Sequence, residues 1–126
     1  MRWLTKNVYF EARDQPIAGQ IAVIMVTLNR VKNSAYPNSI KAVITQGGTK
    51  LNKCQFSWYC DGKPDVIDDW ETFWKIEKLV VQVLNTKGLV RDITSGAIFY
   101  HADYVKPYWA KHKKRIVKID KHIFYR

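Results

Sequence analysis

The sequence predicts an α+β fold, with helices over the first two thirds of the chain and a small antiparallel sheet after them. Three observations carry that expectation. Apolar residues recur at helical spacing as far as Leu84, the spacing changes to short runs from Ala97 onward, and the last residues form two runs on either side of Asp120-Lys121. Helices first and strands afterwards is the pattern of an α+β domain rather than of alternating α/β units. A length of 126 residues suits one domain, 1–126, and the chain shows no internal repeat, low-complexity segment or linker.

The elements follow in order. Trp3, Leu4, Val8 and Ala12 mark a first helix that ends near Arg13-Asp14, before Gln15-Pro16, and Pro16 is expected to open the next helix at its first position. Ile17, Ile21, Ile24, Leu28 and Val31 form the stripe of a second helix, which Ala18, Ala22 and Met25 widen into the pattern of a core helix. Asn33 to Asn38 breaks it. Ser39 to Gln46 reads as a short helix closed by Gly47-Gly48, followed by a polar, exposed stretch to Lys53. Cys54 to Cys60 is either a short strand or a packed loop. With Asp68 or Asp69 as cap, Trp70, Phe73, Trp74, Ile76, Val80, Val83 and Leu84 trace a long helix ending near Lys87-Gly88. Ala97 to His101 reads as a strand, Pro107-Tyr108-Trp109 as a helical turn, and Arg115–Ile119 with His122–Tyr125 as a terminal hairpin.

The formal net charge is +10, and eight of the 21 Lys and Arg fall between Lys106 and Arg126 against Asp120 alone. Such a chain is drawn to something acidic: nucleic acid, an anionic membrane or an anionic wall polymer. Five Trp, seven Tyr and five Phe are many for this length, and aromatics line carbohydrate and nucleic-acid clefts as well as cores. The longest apolar run, Ile21 to Val26, is far too short to span a bilayer, and Met1 to Lys6 lacks the apolar core of a signal peptide. The expectation is a protein kept in a cytoplasm until released, or a domain cut from a longer parent.

Glu11 is the residue with a chemical signature. Glu71 and Glu77 lie among charged neighbours on the amphipathic third long helix, where solvated surface roles are expected, whereas Glu11 sits in Asn7-Val8-Tyr9-Phe10-Glu11-Ala12-Arg13. A carboxyl held against aromatic rings has its neutral form favoured and becomes a proton donor near neutral pH. The structural alternative is an ion pair with Arg13, Arg30 or a lysine. Glycoside cleavage commonly uses two carboxylates, and Asp14, Asp61 and Asp103 are the candidate partners. A route with one carboxylate also exists, in which an internal hydroxyl replaces water.

Other chemistries find little support. Ser34, Ser39, Ser57 and Ser95 lack a nucleophile elbow, and His101, His112 and His122 are not at metal-site spacing. His112 and His122 read as surface residues in basic sequence, and His101 as either a cleft residue or a structural hydrogen bonder. Lys111 to Arg115 beside Tyr108 and Trp109 would suit nucleic acid, but no recognised motif accompanies them, so nucleic acid is not the expected partner. Cys54 and Cys60 allow three readings: free buried thiols first, then a disulfide, then a metal site. An extended 54–60 segment would hold the Cα atoms about 20 Å apart, so a disulfide requires it to loop back.

Several stretches together resemble the SleB/CwlJ-type cell wall hydrolases, the family of spore-cortex-lytic enzymes. They are Asn7 to Arg13, Gly19 to Val23 with Leu28 to Val31, Tyr36-Pro37-Asn38, Cys54 to Trp58 with Cys60-Asp61-Gly62, Tyr100 to Trp109, and His122 to Arg126. The resemblance implies a compact domain related to lysozyme and lytic transglycosylases that cuts peptidoglycan between N-acetylmuramic acid and N-acetylglucosamine. It puts the catalytic glutamate on Glu11, implies no metal or cofactor, and places Gln55, Phe56, Tyr100, His101 and Tyr104 in the cleft. A muramidase using Asp61 or Asp103, or a non-catalytic basic module, are the alternatives. The chain departs from the family's Arg-Gly-Glu, having Arg13-Asp14-Gln15 instead. A monomer is expected, and a stand-alone domain of this kind fits a phage lysis enzyme.

Overall fold

The structure, a computed structural model, describes residues 2–51, 53–86 and 91–126. Helices α1 (Arg2–Ala12), α2 (Ile17–Lys32), α3 (Ile40–Ile44) and α4 (Trp70–Asn85) precede strands β1 (Phe99–Ala102), β2 (Arg115–Ile119) and β3 (His122–Tyr125). Two 3-10 turns, Ser57–Cys60 and Tyr108–His112, interrupt the loops. The α+β expectation holds.

Helix α2 is the central element because it is apolar on more than one side. Val23, Ile24 and Met25 face a cluster formed with Leu4, Val8 and Tyr9 of α1, Val43 and Ile44 of α3, and Phe73, Ile76 and Val80 of α4. Ala22 and Val26 face a second cluster with Ala97 and Phe124 of the sheet region. A helix sandwiched in this way buries two faces, which explains its wide apolar arc. The expected stripe fails at its start, where Ile17 is 64% exposed, because α4 packs chiefly on α1 and leaves the first turn of α2 uncovered. Pro16 stands one position earlier than expected, as the residue preceding the helix, with φ −62°.

Asp69 caps α4 by accepting a hydrogen bond from the Thr72 amide at 3.1 Å, while Asp68 accepts one from the Tyr9 hydroxyl at 3.0 Å. Phe73, Ile76, Val80 and Val83 form the buried stripe. Trp70 and Trp74, expected on it, are 52% and 43% exposed, since each lies roughly 60° or more around the helix from its centre. Glu77 also departs from its expected solvated role: it accepts from Thr5 Oγ1 at 3.0 Å and pairs with Arg2 at 2.9 Å, joining α4 to α1. The expected stop at Lys87-Gly88 lies outside the described residues.

Cys54 and Cys60 form a disulfide with Cα atoms 6.0 Å apart, so the leading expectation of free thiols is corrected, and the metal reading with it. The 3-10 turn supplies the required reversal, with the Tyr59 amide bonded to the Phe56 carbonyl at 3.1 Å. Gly48 lets this loop pack close to the end of α3, since a Cβ there would lie 2.4 Å from the Tyr59 ring.

The sheet has order β1-β3-β2, all antiparallel. Tyr100 stands opposite Phe124 and His101 opposite Ile123, and Asp120, at φ 49°, takes the left-handed turn of the hairpin. Among the described residues, no helix is long and apolar enough to cross a membrane.

Candidate active site

The last turn of α1 and the edge of the sheet enclose a cleft of about 620 Å³. Phe10, Glu11, Arg13, Asp14 and Gln15 line one side, and Ala102, Asp103, Tyr104, Lys121 and His122 the other. Glu11 is there because helical spacing puts it on the same side of α1 as Asn7. Asn7 is fully buried and accepts a hydrogen bond from Trp58 Nε1 at 2.9 Å, and Phe10 stacks on the Trp58 ring at 4.9 Å. The disulfide loop thus braces the turn that carries Glu11.

Glu11 is half-buried, and its Oε1 accepts a hydrogen bond from the Tyr100 hydroxyl. Burial raises its pKa above the ordinary carboxylate value, and the Tyr100 hydrogen bond and the Arg30 charge hold that rise back. Burial and the adjacent Glu11 charge push Tyr100 well above the usual phenol range, which keeps it a hydrogen-bond donor. Arg30, on α2, is 5% exposed and donates from Nε to the Ile98 carbonyl at 2.8 Å. Its guanidinium lies over the rings of Tyr36 at 5.1 Å and Phe56 at 5.3 Å, a cation–π setting. Burial lowers the Arg30 pKa, and Tyr36, Tyr100 and Glu11 oppose that.

The residues expected in the cleft are distributed unevenly. Tyr100 touches Glu11, and Tyr104 stands at the rim, 83% exposed. Phe56 is buried beneath Arg30 rather than in the cleft lining, and Gln55 is exposed outside that lining, its amide bonded to the Gln46 carbonyl at 3.1 Å. His101 faces the other side of the sheet, as strand alternation requires of the neighbour of Tyr100. Its Nδ1 meets the Ala102 carbonyl and its Nε2 the Tyr125 hydroxyl, both at 2.7 Å. Among the carboxylates, Asp14 and Asp103 line the cleft, Asp103 also pairing with Lys118 at 3.2 Å. Asp61 is outside it and accepts from the Lys63 amide at 2.9 Å in its own turn.

His122 was not anticipated at the site, and Arg30 was anticipated only as a candidate ion-pair partner of Glu11. His122, expected at the surface, is 8% exposed and lines the cleft, because its strand position puts it on the Phe124 side of the sheet. Arg30 carried one usable signal, a cation within a helix otherwise apolar on most sides.

Residues 14–125 match the sequence profile of the family described as Cell Wall Hydrolase. The chain belongs to the cell wall hydrolase family. The spore cortex-lytic enzyme of Bacillus cereus is 33% identical to it over 122 residues, 96% of this chain and 42% of that protein. The spore cortex-lytic enzyme of Bacillus subtilis is 30% identical over 125 residues, 98% of this chain and 36% of that protein. This cell wall hydrolase chain therefore spans well under half the length of those relatives. Among solved structures, the catalytic domain of the germination-specific lytic transglycosylase SleB from Bacillus anthracis superposes with a TM-score of 0.76 at 32% identity, covering 99% of this chain and 92% of that one. The catalytic domain of the Bacillus cereus SleB protein gives 0.75 at 32% identity, covering 99% and 88%. The family resemblance read from the motifs is thus membership, and the α+β fold is the one its relatives share.

Proposed function

We propose that this cell wall hydrolase domain cuts the glycan strands of peptidoglycan between N-acetylmuramic acid and N-acetylglucosamine as a lytic transglycosylase, with Glu11 as general acid and then general base. The observation that carries the reading is the half-buried Glu11 carboxyl, facing a cleft, bonded to Tyr100 and raised in pKa by burial. A raised pKa enlarges the share of Glu11 that carries the proton the first step consumes.

In that step the Glu11 proton passes to the glycosidic oxygen, the bond from the muramic anomeric carbon to that oxygen breaks, and the carbon becomes cationic. Glu11, now a carboxylate, takes the proton of the muramic 6-hydroxyl as its oxygen bonds to the anomeric carbon. The product is a 1,6-anhydro end, and Glu11 is again protonated. Tyr100 and Arg30 favour the carboxylate that exists between the two steps, in a site where burial would otherwise penalise it. Tyr104 at the rim offers an aromatic face to a sugar ring. The name of the Bacillus anthracis relative, a lytic transglycosylase, supports attack by the internal hydroxyl.

A hydrolytic reading stays in view because Asp14 and Asp103 line the same cleft. Mass spectrometry of soluble products from purified peptidoglycan decides. Anhydro-muramic ends that disappear in Glu11→Gln are expected. Reducing ends that disappear in Asp14→Asn or Asp103→Asn would replace the transglycosylase reading with a muramidase.

A further inference from the structure

Two neighbouring strands of the sheet, β1 and β3, carry histidines in opposite states of hydrogen bonding. Both ring nitrogens of His101 meet a protein oxygen, as a buried imidazole usually requires. His122 is as little exposed as a core residue, yet its Nδ1 is buried without a hydrogen-bond partner. The ring edge stands against Tyr100, with centroids 5.1 Å apart at 61°, and Tyr100 bonds to Glu11. His122 also lines the cleft that Glu11 faces. With Nδ1 sealed, Nε2 is the nitrogen that a molecule in that cleft can reach.

The surroundings decide which nitrogen carries the proton. The negative charges acting on the ring are Asp14, Asp103 and Asp120, and the first two line the cleft, while His101 acts in the opposite sense. Carboxylates on the cleft side favour an N–H pointing toward them, which puts the proton on Nε2. A proton on Nδ1 would instead be a donor buried without an acceptor.

We propose that His122 is a substrate-positioning residue whose Nε2–H donates a hydrogen bond to a sugar oxygen of the bound glycan, beside Glu11. The inference rests on the glycan-cleaving reading. Packing against Tyr100 and Phe124 holds the ring in place, so that a sugar oxygen in the cleft accepts from Nε2. Burial lowers the imidazole pKa, so the neutral donor is the form present at neutral pH.

The test compares His122→Phe, which keeps an aromatic edge against Tyr100, with His122→Gln, whose amide nitrogen restores a donor near the Nε2 position. On a soluble glycan of alternating N-acetylglucosamine and N-acetylmuramic acid, the Phe variant is expected to raise KM about ten-fold, the loss of one hydrogen bond, with a smaller change in kcat. The Gln variant should recover most of it. Unchanged KM in a folded Phe variant would overturn the proposal. As a readout that survives misfolding of the variants, 15N spectra of the His122 ring are recorded in Glu11→Gln protein with the same glycan. A shift at Nε2 on binding is expected, and binding without any shift would overturn it. Wild-type protein that cleaves no peptidoglycan would instead count against the glycan-cleaving reading itself.

Discussion

The Tyr100 hydroxyl donates to Glu11 Oε1 although 89 positions separate the two residues in the chain. One lies on the last turn of α1 and the other on β1, so this bond closes the helical part of the molecule onto the sheet at the point where the proposed chemistry occurs.

Replacing Tyr100 with Phe removes a bond that favours the Glu11 carboxylate, so the Glu11 pKa rises further. If Glu11 is the acid, kcat/KM falls as pH rises through its pKa, and the alkaline limb of the Phe variant moves to higher pH. The rate at the optimum is expected to drop roughly ten-fold or more, the weight of a hydrogen bond to a charged group. A limb that stays in place would mean that it reports another residue.

Glu11 also links stability to pH. Its folded pKa lies above the ordinary value, so the native state binds more protons than the unfolded chain between the two pKa values, and stability is lost as pH rises through that window. Glu11→Gln has no such penalty. Its melting temperature should exceed that of the wild type near neutral pH, and the difference should shrink below the ordinary carboxylate range. A variant less stable at neutral pH would contradict the burial cost assigned to Glu11.

Trp58→Phe takes away the donor to Asn7 Oδ1, leaving a fully buried amide whose Nδ2 is already unpartnered. Denaturant titration should show a loss of about 2 kcal/mol, the cost of an unsatisfied buried polar group. Because Trp58 also stacks on Phe10 at the cleft, cleavage should fall in the same variant.

Reduction of the Cys54–Cys60 disulfide releases a short loop, for which chain entropy predicts a loss of about 2 kcal/mol. Phe56 and Trp58 lie within that loop and brace Arg30 and Phe10, so activity should decline together with the unfolding midpoint. Thermal melts and turnover with and without reductant check both.

The basic surface makes a separate prediction. Raising ionic strength from about 0.05 to about 0.5 M screens exposed charges, so binding to intact wall should weaken more than turnover of a short soluble glycan. Equal sensitivity would remove the role of net charge in wall attraction.

The sequence by itself determined the order and type of the elements and the candidacy of Glu11. Apolar periodicity reports which side of a segment is buried, and a glutamate among aromatics is legible wherever the chain goes next. The C-terminal hairpin and a cap at Asp68 or Asp69 were readable for the same local reason, and the structure chose Asp69. Tertiary structure alone decided which distant residues meet. Strand register turned Tyr100 toward Glu11 and its neighbour His101 away, although both stood in one matched motif. The same alternation buried His122 beside Phe124 in a stretch whose charge suggested solvent, and a 3-10 turn joined two cysteines that spacing alone left unpaired. Trp70 and Trp74 lie off the buried stripe of α4 and remained exposed, Trp74 beneath the Arg2 guanidinium of α1. Periodicity identifies a face, but what covers that face is set by long-range packing, and the site lies where such contacts converge.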